Sequence, residues 1–226
     1  MFGEYSIWGR CEKAKIGPAI NFSHDGLNWT WQTPDDISYE KNLKPYCGKK
    51  ILFLTRYPLD VVVSNWAYFR YLNAHYQNSV NAFIKDPVHS VEKFVRFHNL
   101  WANHRSEFPE IMLLRYEDVR NNPKEKFAEL IHYLGFNYDE KLLMEAINFA
   151  SLENMRGMQK SLKDVPFLKT KNYIYIGDEN NPESRHVRKG EIGGYRKYLD
   201  PDMVDHYEKI IGLNLDPWFG YEAPVA

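Results

Sequence analysis

Two hydrophobic rhythms run through this chain. Ile51, Leu52, Phe53 and Leu54 form one continuous apolar run, and Ile111 to Leu114 form a second. Short unbroken runs of this kind predict strands buried on both faces of a parallel sheet. Elsewhere apolar residues recur every three to four positions: Val62, Trp66, Phe69 and Leu72, then Val91, Phe94, Val95, His98, Trp101 and Ala102. Phe127, Leu130, Ile131 and Leu134 continue the pattern, as do Leu142, Leu143, Ala146, Ile147 and Ala150. Met203, Val204, Tyr207, Ile210 and Ile211 close it. Each group is one apolar stripe on a helix.

The punctuation agrees with the rhythm. Pro58 suits a helix's first turn, and Asn122, Pro123 and Glu125 supply a cap, a first-turn proline and a capping-box glutamate. Gly135 is a stop and Asp200–Pro201 a further start. Ile20 to His24 read as a short strand, residues 33–47 as a short helix begun near Thr33 and ended before Pro45, and residues 156–184 as a polar loop. Helices interleaved with strands predict an α/β domain with a central, mostly parallel sheet flanked by helices.

Composition narrows the class. The 226 residues suit a single domain, 1–226, and 44% hydrophobic with 26% charged residues is ordinary for a globular protein. Lysine plus arginine (29) nearly balance aspartate plus glutamate (30), so charge makes no case for nucleic acid or a membrane surface as partner. The chain holds no long apolar span, and Met1 to Arg10 lack the build of a signal peptide. Cys11 and Cys47 are too few for a disulfide framework and read as free thiols, so the expected setting is cytoplasmic. Aromatic residues at 15% suit a stacked ring ligand or a carbohydrate acceptor, and equally a tyrosine-rich core.

The candidate chemistry begins at the first strand's exit. Arg56 follows the apolar run, Pro58 opens the helix, and Ser64 lies two turns in. Strand ends and helix N-termini converge at such junctions, which is where α/β folds hold anions, and an arginine fork with a hydroxyl makes a phosphate clamp. A surface ion pair is the plainer reading of a lone arginine there. Asp35 and Asp36 read as partners of a helix dipole rather than an acid/base pair. His98 lies on an apolar stripe and reads as core. His98 and His104, six apart, cannot share a helix face as metal ligands. His24, at a strand's end, has a side chain suited to proton transfer near neutral pH.

Several of these segments resemble one family. RYPLDVVVSNW is similar to the R-N-P-x-D-x-x-V-S segment of sulfotransferases that use 3′-phosphoadenosine 5′-phosphosulfate (PAPS), with Tyr57 in place of the usual asparagine. LLRYEDV resembles the family's Tyr-Glu-Asp segment, and Ala150 to Met155 its T-S-F-E-x-M segment, with Ala150 and Leu152 as departures. RHVRKGEIGGYRK resembles R-K-G-x-x-G-D-W-K, with Gly194 and Tyr195 where aspartate and tryptophan are usual. His24 resembles the catalytic histidine in its place, although Phe22 stands where the family has lysine. No counterpart of the P-K-S-G-T-T-W loop precedes it, so the family's first strand, loop and helix are expected to be missing.

The resemblance implies a P-loop nucleotide-binding architecture and sulfuryl transfer from PAPS to a hydroxyl or amine acceptor, releasing 3′-phosphoadenosine 5′-phosphate (PAP). It implies His24 as general base, Arg56, Ser64, Arg188, Lys189 and Gly190 as holders of the donor's 3′-phosphate, and Tyr116 and Ser151 as neighbours of its nucleoside. No metal is required, and the acceptor would be a small molecule or a glycan. The missing loop leaves open a relative that binds PAP or PAPS without turnover. A kinase-like phosphotransferase on the same fold is the remaining alternative.

Overall fold

The two apolar runs become two strands, β1 (Lys50–Thr55) and β2 (Glu110–Arg115), paired in parallel with Ile51 opposite Ile111 and Leu54 opposite Leu114. The computed structural model describes residues 23, 31–72, 76–161, 181–185 and 187–221. His24 and the expected strand Ile20 to His24 lie outside them, apart from Ser23, which is not in a strand. Parallel strands need a crossover, and the chain makes it through α1 (Pro58–Ala67), a π-helical turn (Tyr68–Leu72) and α2 (Val91–His104).

After β2 come α3 (Tyr116–Asn121), α4 (Pro123–Tyr133), α5 (Glu140–Phe149), α6 (Leu152–Ser161) and α7 (Pro201–Asn214). The result is an α/β fold with a parallel sheet flanked by helices, as the alternating pattern predicts. The predicted stripe of α2 is buried throughout, and Ser90 caps that helix by accepting the Lys93 N–H at 3.2 Å. His98 is core, with Phe53, Phe94 and Phe219 around its ring, Nδ1 donating to the Phe94 carbonyl and Nε2 bonded to Thr55 Oγ1. Burial pushes its pKa down to about 3.

Several expectations are corrected. β1 is not buried on both faces: Phe53 faces Trp101 and Phe219, whereas Leu54 is 66% exposed, because the described elements pack chiefly on one side of that strand. In α5 only Leu143 is buried, and Leu142 and Phe149 are 64% and 65% exposed. Residues 33–47 form two 3₁₀ turns and one helical turn, Tyr39–Asn42, rather than one helix. Asp36 accepts the Thr33 N–H at 3.0 Å, closing a capping box. Of the loop expected over residues 156–184, residues 156–161 belong to α6 instead, Pro182–Ser184 form a 3₁₀ turn, and 162–180 lie outside the described residues. Asn122 and Asp200 sit at helix starts without capping through their side chains, and each helix relies on its first-turn proline.

Candidate functional site: an anion clamp between two strand ends

Arg56 and Tyr57 join β1 to α1, with the Tyr57 N–H donating to Glu117 Oε1 at 2.8 Å. That bond ties the first strand–helix junction to α3, which opens directly from β2. Asp60, in the first turn of α1, is only 3% exposed. Its Oδ2 accepts the Gly193 N–H at 2.8 Å and its Oδ1 the Tyr195 N–H at 3.1 Å. A buried carboxylate that accepts backbone amides is stabilised without a mobile counter-charge. Here it fastens the basic loop over the N-terminus of α1.

Arg56 lies between these parts. Its Nη2 is 3.4 Å from Asp60 Oδ2 and donates to the Glu191 carbonyl, and its guanidinium lies 4.4 Å from the centroid of the Tyr116 ring. Its Nε is buried with no hydrogen-bond partner among the described residues. A buried cationic N–H left unpaired costs free energy, so it is a position where a ligand's anionic oxygen would be stabilising. Tyr116 also donates its hydroxyl to the Gly190 carbonyl at 2.9 Å. Gly190 has φ +61°, and a Cβ there would stand 3.0 Å from the Tyr116 oxygen. Only glycine leaves that cradle open, and backbone groups can then approach a ligand closely.

A cleft of about 300 Å³ opens on these groups. Arg56, Ser64, Tyr116, Arg188, Lys189 and Gly190, found by sequence in three separate segments, all line it. Ser151 does not; it caps α6 by accepting the Asn154 N–H at 3.3 Å, and the next turn sends Leu152 and Met155 to the cleft wall instead. His24 lies outside the described residues. Tyr198 and Asp60, also in the wall, were not found by sequence. Asp60 left a signal, a carboxylate one helical turn after an arginine, which normally marks only a surface pair.

The cations are already engaged. Arg188 Nη1 and Lys189 Nζ each lie 2.7 Å from a different oxygen of Glu183, and both donate to the Tyr198 hydroxyl oxygen. Burial raises the Glu183 pKa, but the bonds from Lys189, Arg188 and Tyr198 outweigh it and hold the carboxyl at about 2. The two positions that depart from the expected family pattern also meet, because Tyr57 stacks on Tyr195 with centroids 5.4 Å apart. Among the described residues no His, Cys, Asp and Glu side chains cluster as a metal site, and no helix is long and apolar enough to cross a membrane.

Parallel strands whose carboxyl ends carry a cationic, glycine-cradled cleft define an α/β domain of the kind whose strand ends hold anions. The family follows from the comparisons: this chain belongs to the sulfotransferase-domain family, whose model matches residues 41–219. Sulfotransferase 1E1 of Bos taurus is 26% identical over 182 residues, covering 76% of this chain and 56% of that relative. Cytosolic sulfotransferase 13 of Arabidopsis thaliana is 26% identical over 181 residues, with coverages of 71% and 49%. The chain thus spans about half the length of the curated relatives it matches.

Solved structures agree on the fold. Retinol dehydratase in complex with androsterone and inactive cofactor PAP superposes with TM-score 0.57 at 22% identity, over 74% of this chain and 47% of that one. Mouse sulfotransferase SULT7A1 complexed with PAP gives 0.58 at 18% identity, over 79% and 63%.

Proposed function

We propose that this domain is the donor-binding part of a PAPS-dependent sulfotransferase, acting on a hydroxyl or amine of a small-molecule acceptor. One observation carries the reading: Arg56, Ser64, Arg188, Lys189 and Gly190 share one cleft with the ring of Tyr116. The cleft suits a 3′-phosphorylated nucleotide on two counts. Arg56 Nε supplies a buried donor without a partner among the described residues, and Gly190 supplies a cradle that a side chain would fill. Bound PAPS would supply the sulfuryl group. The chain's own residues bind and orient: Arg56, Arg188 and Lys189 hold the 3′-phosphate charge, Ser64 offers a hydroxyl, and Tyr116 orients the arginine from below its plane. Leu152 and Met155 give the nucleoside an apolar wall, beside Ser151 at the start of the same helix.

His24 is the residue we assign to accept the acceptor's proton, a contribution of about 10² to 10⁴ in rate. A cytoplasmic setting goes with this reading, because relatives that match are named cytosolic sulfotransferases. Calorimetric titration with PAP and with 5′-AMP tests the donor site. PAP should bind at least about tenfold tighter than 5′-AMP, the weight of one charge-assisted contact. Equal affinities, or no binding, would remove the reading. Transfer of label from radiolabelled PAPS to a phenol or amine, abolished in His24→Ala, then tests turnover.

A further inference from the structure

Glu183 stands apart from the rest of the clamp. It sits in the turn Pro182–Ser184 and is absent from the cleft wall, yet Arg188, Lys189 and Tyr198, its three partners, all line that wall. Its Oε2 lies 2.7 Å from Arg188 Nη1 and accepts the Tyr198 hydroxyl at 2.8 Å, while its Oε1 lies 2.7 Å from Lys189 Nζ. One carboxylate therefore engages both of the basic loop's clamp cations from behind the wall.

The contrast with Asp60 shows what is unusual here. Asp60 is held by backbone N–H groups and stays in place whatever enters the cleft. Glu183 is held in these bonds by side-chain donors, and side chains can turn toward a second anion.

We propose that Glu183 determines the affinity and release of the 3′-phosphate by competing with it for Arg188 and Lys189. The inference rests on the reading of the cleft as a 3′-phosphate site. With the cleft empty, Glu183 keeps two long, mobile side chains ordered. With a phosphate present, the same carboxylate is a like charge a few ångströms behind the cations, and it weakens their hold. Product bearing that phosphate leaves sooner as a result. The nucleoside side of the pocket does not feel this competition, so the effect is confined to ligands that carry the 3′-phosphate.

Calorimetric titration of wild type, Glu183→Gln and Glu183→Asp with PAP and with 5′-AMP tests it. Glutamine keeps an oxygen for the Tyr198 hydroxyl, so that variant retains the turn. Glu183→Gln should bind PAP about tenfold tighter than wild type, with a steeper loss of affinity as salt rises. Its affinity for 5′-AMP should stay within about twofold, and Glu183→Asp, which keeps the charge, should bind PAP like wild type. Unchanged or weaker PAP binding by Glu183→Gln overturns the proposal, and weaker binding makes Glu183 a positioning residue. A gain in Glu183→Asp as large as in Glu183→Gln also overturns it, since charge is then not the cause. Failure of both wild type and Glu183→Gln to bind PAP refutes the reading of the site itself, a distinct outcome.

Discussion

β2 ends in an arginine and β1 is followed directly by one, and the two arginines have opposite fates. Arg115 donates from Nε and Nη2 to the two oxygens of Asp118, each at 2.8 Å, and from Nη1 to the Gly220 carbonyl at 2.8 Å. It pins the end of the chain to the sheet and has little left to offer. Arg56 has a carboxylate one turn on as well, but Asp60 has given both oxygens to backbone amides and meets the guanidinium only at 3.4 Å. Arg56 lines the cleft and keeps a buried Nε that has no partner among the described residues. An arginine becomes available to a ligand when its carboxylate partner is occupied elsewhere.

The sharpest way to break this comparison is at the carboxylates. Asp60→Ala leaves two backbone amides without their acceptor and takes the nearest carboxylate from a half-buried arginine, and should cost about 3 to 5 kcal/mol of stability in urea unfolding. Asp118→Ala removes a partly exposed pair and should cost only about 1 kcal/mol. Similar losses in the two variants would mean that Asp60 does not fasten the loop.

At the arginines the readout moves from stability to binding. Arg56→Ala should raise the dissociation constant for PAP by about tenfold to a hundredfold, the value of one hydrogen-bonded charge. Arg115→Ala should leave that constant within about twofold and lower stability by about 1 kcal/mol. Gly190→Ala comes next. A left-handed φ costs a non-glycine residue about 1 to 2 kcal/mol, and the new methyl group presses on the Tyr116 hydroxyl. Its PAP affinity should fall while Gly48→Ala, left-handed with open space around it, leaves binding alone.

The smallest effect is one of pH. The Glu183 carboxyl titrates at about 2 in the folded chain against 4.5 for an ordinary glutamate. Its contribution to stability is complete above pH 4.5 and is lost as pH falls toward 2. The melting temperature of wild type should therefore drop more than that of Glu183→Gln across this window. Parallel curves would show that the carboxylate is not held by its cations.

How much of this was legible in the sequence depends on the range of each interaction. Arg56 and Ser64 could be read because strand, turn and helix are consecutive, whereas Arg188, Lys189 and Gly190 could be read only through the family resemblance, since a basic run with glycines is by charge alone a solvated loop. The inward face of α2 could be read because helical spacing alone sets it. Asp60 could not be read, since its surroundings come from a loop 133 positions away. Glu183 and Tyr198 lie in a segment without period, where no local rule says which acid meets which base. The exposed face of β1 was misread for a related reason: an apolar run reports the residues' own character, not how many layers pack against them. Tyr57 and Tyr195 each looked like an isolated departure from the family pattern, and only the fold shows that they stack on each other.

The Asp60 bond to Gly193 also has a consequence for the order of events during synthesis. A contact between positions 133 residues apart closes one of the chain's long loops, whose entropy must be met before the contact can contribute. On a growing chain the β1–α1 junction, with its arginine and serine, emerges well before the basic loop. A ribosome adding about 5 to 20 residues per second leaves that arginine several seconds with no loop to complete the clamp. The two halves of the clamp therefore meet in one step once the loop has emerged, and the clamp is not built up by degrees.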